Sequence, residues 1–385
     1  MKFNWLMGLA IGALIAGSVL AAGSANIDDR IKDRANLSNM DLSEMNLSKA
    51  HLNQSDLRGS DLNLSNLNGT YLRSAWLRNS KLKGAKLVGA DLNGAVLTGA
   101  DLEEADLTGA SLDRAQMSKI NLNRARLVKA DFTESDLSDA NLSDADLTDA
   151  RLFRADLSGA SLKGIYLTSA NLIGAHVSWA DMSGSYLSRG QFSRAELYNT
   201  NLSGSDLSDA DFTRAYLMRT DLTGANMNWA NMAYADLTEA KLVGTSLNSA
   251  KLPYADMTRA NLTGADLSDS DLNVARLVGS TLKNAKLNRV SLRELDLRGV
   301  DLSGASLRNS NFANVFLTNA NMRGSDLRDA ALDRVEMTGV DLSGANLEKI
   351  KYDQFTLLSL TKANLTGAKM SQSLQDDLKS ISGDA

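Results

Sequence analysis

The chain has 385 residues, with 41 Lys and Arg against 46 Asp and Glu, for a mild formal net charge of −5. It contains no Cys, which excludes disulfides, thiol catalysis, Cys-ligated metals and lipidation at a Cys. Its one Pro, Pro253, lies inside a regular pattern, so nothing marks a linker or a second domain.

Residues 1–25 begin with the basic Lys2, continue as an apolar run from Trp5 to Ala22 and finish on the small residues Gly23, Ser24 and Ala25. This is the layout of a secretory signal peptide, with cleavage expected after Ala21, Ala22 or Ala25. The run is also about the shortest that spans a bilayer, so an anchor kept after export is the competing reading. Either way the protein is expected outside the cytoplasm: in the periplasm, in a thylakoid lumen or in the medium. A cleaved signal leaves no stable membrane span. Residues 26–34 follow as a charged segment with Ile27 and Ile31 at helical spacing, expected to form an N-terminal cap.

From Leu37 to Leu347 every fifth residue is apolar without a frame shift, mostly Leu, with Met117, Met182, Met257, Phe132, Phe192, Phe212, Phe312 and Val177 as variants. A small residue, usually Ala or Ser, stands two positions before each. On a helix a step of five advances a side chain by roughly 500°, about 140° off the starting face. In an unbroken strand an odd step puts successive Leu residues on opposite faces. The chain must therefore turn within every five residues, with the small residue and the Leu both pointing inward. The second residue after the Leu is often Gly, Asn or Asp, the types that tolerate positive φ in turns. Corners repeated in one sense wind a solenoid whose coils pair with the coils above and below.

The charges give the number of sides. For the charged residues from Asp113 to Asp136 a lag of twenty gives Arg114–Glu134, Lys119–Asp139, Arg124–Asp144, Arg126–Asp146, Lys129–Asp149, Asp131–Arg151 and Glu134–Arg154, all opposite in sign, and within that window only Asp136–Asp156 is alike. A lag of fifteen mixes the signs. Four sides of five residues follow, and 35–350 amounts to about 16 coils at roughly 4.8 Å each.

The motif Ala-(Asp/Asn)-Leu, as in Ala100-Asp101-Leu102, Ala140-Asn141-Leu142 and Ala145-Asp146-Leu147, resembles the pentapeptide-repeat proteins. The resemblance covers about 35–370 and implies an all-β fold, a right-handed quadrilateral β-helix; it is poorly specific for function. The small inward position is enlarged at Met40, Met45, Ile120, Ile165, Val290, Leu295, Val300, Val315, Val335 and Val340, which predicts a wider or less regular core near both ends.

After Ile350 the frame slips. Tyr352 and Leu357 keep the old beat, whereas Leu360, Leu365 and Met370 start another, offset by two residues fewer. Residues 351–385 are expected to form an irregular last coil and a helical cap over Ser373–Ile381, with Leu374, Leu378 and Ile381 on one face and Ser373 as N-cap. The cap is also the natural place for an end-to-end homodimer.

No constellation points to catalysis. His176 falls one coil from Asp156 and from Glu196, a surface ion pair rather than a metal set. The seven carboxylates of Asp131–Asp149 spread around all four sides and face basic residues. Ser111, Ser161 and Ser306 are products of the repeat and lack a nucleophile-elbow pattern. No catalytic residue, cofactor or metal is expected, and no enzyme activity.

One stretch stands out. On one side the second residue after the Leu reads, coil by coil, Arg154, Gly174, Arg194, Arg214, Tyr234, Tyr254, Val274, with Trp179, Tyr198, Tyr216, Met218 and Trp229 nearby. Arg and aromatic side chains are enriched in binding hot spots and stack on sugars. Arg194, Arg214, Tyr234, Tyr254, Trp229, Tyr198 and Tyr216 form the candidate partner-binding strip.

Three functions compete. The first is an exported, non-catalytic solenoid acting as a structural or protein-interaction rod. The second is a binder of glycan or envelope polymer through the Arg/Tyr/Trp strip. The third, implied by the family resemblance, is a DNA mimic that binds a type II topoisomerase. The export signal and alternating charge argue against the third, and no nucleic-acid partner is expected.

Overall fold

The computed structural model describes residues 31–383, so the expected signal peptide and residues 26–30 lie outside the described residues. The chain falls into two compact units, one ending at Asp146 and one beginning at Leu147. Both are built from the same five-residue module.

One module shows why the period is five. The Leu217 N–H donates to Asp236 O (2.7 Å) and Arg219 N–H to Thr238 O (3.0 Å), both on the next coil; Thr220 N–H closes the corner on Leu217 O (3.1 Å). In the following coil Asp236 N–H donates back to Ala215 O (3.0 Å), and Thr238 N–H goes to the Asp236 carboxylate (3.0 Å). All five N–H groups of a module thus have a place, which is the requirement a buried ladder imposes. The first unit repeats the pattern at Leu37, Asn39, Met40 and Asp56, with Ser38 N–H on Asn36 Oδ1 at 3.2 Å. Within each unit parallel bridges join residues twenty apart, as Asn36↔Asp56 in the first and Asp326↔Asn346 in the second, so each coil has four sides.

The Asp or Asn of the motif is therefore a backbone cap: it accepts the N–H two residues on, an Asx turn. At several modules where that position holds another residue type, an Asn on the preceding coil takes over. Asn53 receives Arg73 N–H (3.0 Å), Asn63 receives Lys83 N–H (2.8 Å), Asn68 receives Val88 N–H (2.9 Å), and Asn228 receives Asn248 N–H (2.9 Å). The residues that lack the cap there are Tyr71, Lys81, Lys86 and Ser246.

Every second residue after the Leu, from Arg34 to Lys349, has φ between about +53° and +72°. Gly adopts this conformation freely, while other L-residues bear a local cost of roughly 1 kcal/mol. Inside, the Leu column and the small residues are almost fully buried. The enlarged positions Ile120, Ile165, Val290, Leu295, Val300, Val315, Val335 and Val340 are buried as well, whereas Met40 and Met45, on the first described coil, remain partly exposed. Buried Ser and Thr at the small position bond backbone carbonyls, as Thr220 Oγ1 does to Leu197 O at 2.7 Å, with Ser270 the exception among the described residues.

The ends differ from expectation. Of the cap placed over 26–34, only 31–34 is described, and it is no helix: Arg34 has φ 61° and donates to Asn53 O, and Ala35 N–H closes on Lys32 O. Lys32-Asp33-Arg34 already makes a corner of the solenoid because a corner needs only the chain carbonyl, not an apolar side chain. At the other end β1 (Ala331–Leu332) pairs with β3 (Lys351–Tyr352) at the regular spacing, and β2 (Asn346–Leu347) pairs with β4 (Lys369–Met370) three residues further on. The slipped frame is thus three extra residues, taken up by a helix, α1 (Gln354–Leu360), with Asp353 as N-cap. The last helix, α2 (Gln372–Gly383), begins earlier than expected: Ser371, not Ser373, supplies the capping oxygen to Leu374 N–H.

Helix α1 replaces part of a coil and also its hydrogen-bond acceptors. Thr356 Oγ1 receives Val335 N–H (3.0 Å) while donating to Leu332 O, and Ser359 Oγ receives Met337 N–H (2.6 Å). Tyr352 Oη bonds Asp377 of α2 at 2.5 Å; burial and that carboxylate push the phenol up to about 12. Side-chain hydroxyls thus close an edge that would otherwise be open to strand addition.

Candidate functional site

The site is one corner of the second unit. The module sends the second residue after each inward apolar side chain outward, so Phe192, Phe212, Met232 and Leu252 inside place Arg194, Arg214, Tyr234 and Tyr254 outside in file. Their φ values are 58°, 57°, 60° and 59°. Behind the two arginines the core is unusually thick: Phe192 and Phe212 stack with ring centres 4.7 Å apart. Gly190 makes room, because a Cβ there would stand 2.7 Å from the Phe192 ring and 2.9 Å from Leu187 O.

The structure divides the expected strip into three parts. Tyr234 and Tyr254 stack face to face at 4.8 Å and 1°, and the Arg214 guanidinium lies 5.5 Å from the centre of Tyr234. With Arg194 these form one continuous file. Tyr198 and Tyr216 belong to the adjoining side and stack on each other at 5.9 Å; burial and, after it, Glu196 push the Tyr198 phenol up. Trp229 occupies the preceding corner, exposed, without a ring contact to the others. An open groove of about 330 Å³ borders the file, lined by Ile173, Ser193, Arg194, Asp211, Thr213, Arg214 and Tyr234.

Sequence reasoning missed the groove's polar floor. Asp211 accepts from Ser193 Oγ (2.6 Å) and Thr213 Oγ1 (2.5 Å). Burial opposes its ionisation, but those hydroxyls outweigh burial and hold the carboxyl below its usual range. Charge also sets the file apart. At several other corners cations meet anions: Glu239 holds Arg219 and Arg259, each at 2.7 Å, and Asp269 holds Arg289 at 2.5 Å. Among the described residues Arg194 and Arg214 have no carboxylate in ion-pair range. Read at a lag of twenty, they are the one like-charged neighbouring pair among the corner residues from Arg34 to Lys349. That signal was present in the sequence.

His176 Nδ1 lies 3.0 Å from Glu196. Asp136 accepts the Ser138 hydroxyl. Among the described residues no group of His, Cys, Asp and Glu is placed to hold a metal ion, and no helix is long and apolar enough to cross a membrane.

The profile described as pentapeptide repeats matches in successive segments, some of them overlapping, from 33–69 to 310–348. This chain belongs to the pentapeptide-repeat family. Its members form right-handed quadrilateral β-helices, the architecture of the four-sided coils here. The chain is similar to HetL, a pentapeptide-repeat protein involved in heterocyst differentiation regulation in the cyanobacterium Nostoc, with 31% identity over 65% of this chain and 91% of that one, TM-score 0.29. It is similar to trypsin-treated QnrB1, a plasmid-mediated fluoroquinolone resistance protein, with 16% identity over 62% and 96%, TM-score 0.27. A pentapeptide-repeat protein of the Arabidopsis thaliana thylakoid lumen is 24% identical over 45% and 86%, TM-score 0.12. No curated protein sequence matches the chain.

Proposed function

We propose that this pentapeptide-repeat protein is exported and serves as a non-catalytic scaffold that binds a partner through its outward side chains. The observation that carries this reading is the corner file itself. The backbone ladder, its Asp and Asn caps and the inward columns satisfy the fold, so the corner side chains are free of structural duty, and Arg194, Arg214, Tyr234 and Tyr254 occupy a costly conformation there without pairing to a carboxylate among the described residues. Export rests on the sequence of residues 1–25. The DNA-mimic alternative has less to support it, because Glu239 is bracketed by Arg219 and Arg259 and the acidic edge is interrupted.

Fractionation of the native cell with N-terminal sequencing tests the reading. The expected result is a mature start between Gly23 and Asn26 in a non-cytoplasmic fraction, with sedimentation in a larger assembly. An intact Met1 in the cytoplasm overturns export, and a free monomer in every fraction overturns the partner.

A further inference from the structure

We propose that the Arg194–Tyr254 file binds an acidic polysaccharide, a chain of sugar acids whose carboxylates bridge the Arg194 and Arg214 guanidiniums and whose hydroxyls reach Asp211. This rests on the partner-binding reading above and names the chemistry of the partner.

The first argument is charge. Two guanidiniums one coil apart repel each other, and like charges facing across a ladder are unfavourable. The corner arginines Arg219, Arg259 and Arg289 each have a carboxylate one coil away instead. A bound oxyanion relieves the repulsion and accepts two charge-assisted hydrogen bonds.

Packing does not force these side chains on the corner. At the opposite corner of the same coils stand Gly184, Gly204, Gly224, Gly244 and Gly264, and an added Cβ would meet nothing within 4 Å at any of them. The solenoid closes equally well with a bare corner.

The remaining question is which anion fits. Tyr234 has Arg214 on one side and Tyr254 on the other, so its faces are covered and the file presents edges: guanidinium N–H and phenol O–H groups in a row. A single-stranded nucleic acid needs free ring faces for its bases and finds none on Tyr234. An extended acidic peptide repeats same-side carboxylates at about 6.6 Å, out of step with coils spaced about 4.8 Å. A chain of linked sugar acids presents carboxylates as acceptors and hydroxyls as donors on each ring. Such a ligand meets the arginines with its carboxylates and places hydroxyl donors beside Asp211, whose carboxylate also accepts from Ser193, Thr213 and Asn231.

The test is affinity electrophoresis of the mature protein through polygalacturonate, fully methyl-esterified polygalacturonate and poly-glutamate. Wild-type protein is expected to be retarded by polygalacturonate alone, and R194Q/R214Q to bind at least about tenfold more weakly with unchanged thermal unfolding. R219Q, whose arginine already has Glu239, serves as the control and keeps binding. No retardation by polygalacturonate, or equal retardation of the double variant, overturns the proposal. Retardation by poly-glutamate that needs both arginines also overturns it but leaves the partner-binding scaffold standing. If neither polymer binds and R194Q/R214Q still sediments with the native assembly, the partner surface at this corner falls too.

Discussion

Two opposite corners of the second unit follow the same backbone path and carry opposite contents. One runs Gly184, Gly204, Gly224, Gly244, Gly264; the other runs Arg194, Arg214, Tyr234, Tyr254. All have φ near +60°, the region where glycine is at ease and a bulky residue is not. The bare corner shows what the fold asks for, and the loaded corner shows what is added to it. The difference separates folding from function position by position, which a globular core rarely permits.

Substitutions can sharpen or break that contrast. The largest effect is expected beneath the loaded corner: Phe212→Ala removes a ring stacked on Phe192 and should destabilise by about 3–5 kcal/mol in chemical denaturation. Gly190→Ala should cost roughly 1–3 kcal/mol, because its Cβ would collide with the Phe192 ring and Leu187 O. Gly224→Ala meets no neighbour and should cost only about 1 kcal/mol, for the left-handed backbone alone. If Gly190→Ala and Gly224→Ala cost the same, the claim that packing matters under one corner and not the other fails.

Acid should weaken the sides that flank the bare corner. The Arg328 guanidinium holds the Asp326 carboxyl below its usual range, and the Ser343 hydroxyl does so for Asp341. A depressed folded-state pKa adds stability above the unfolded value of about 3.9 and loses it as pH falls through the lower folded one. Hydrogen exchange at Ser343 and Arg328 N–H should therefore accelerate, beyond the intrinsic pH trend, as pH drops below about 4. The smallest effect is a gain: Tyr254→Gly should leave stability unchanged or raise it by up to about 1 kcal/mol, read as a rise in melting temperature, since the corner then resembles its opposite. A large loss would mean that the tyrosine stack holds the coils together.

Much of this was legible because a period of five admits few backbones. The four sides followed from charges that answer each other across coils, and the corners from Gly, Asn and Asp at one phase. The N–H bookkeeping was harder to see. Asn53, Asn63, Asn68 and Asn228 look like ordinary surface residues, and their role appears only when the missing cap one coil later is noticed. Helix α1 was hidden because seven residues hold too few turns to show a helical stripe, and Leu357 and Leu360 each fit a five-residue beat by accident. The candidate strip was drawn too broadly: the side that carries Tyr198 and Tyr216 turns away from the Arg194 file at the corner, and Trp229 belongs to another corner altogether. Chain proximity cannot reveal that separation, whereas a fixed phase within the coil does.

The module that satisfies its own backbone within five residues has a consequence for how such a chain changes over generations. Loss of five residues leaves every corner intact but turns all that follows by a quarter, so that each downstream side chain moves to the next face and an Asn that caps an N–H across the deletion loses it. Loss of twenty leaves every column in line. The inheritable unit of length is therefore the whole coil, and a file such as Arg194 to Tyr254 can be shortened or extended in such steps without disturbing the faces beside it.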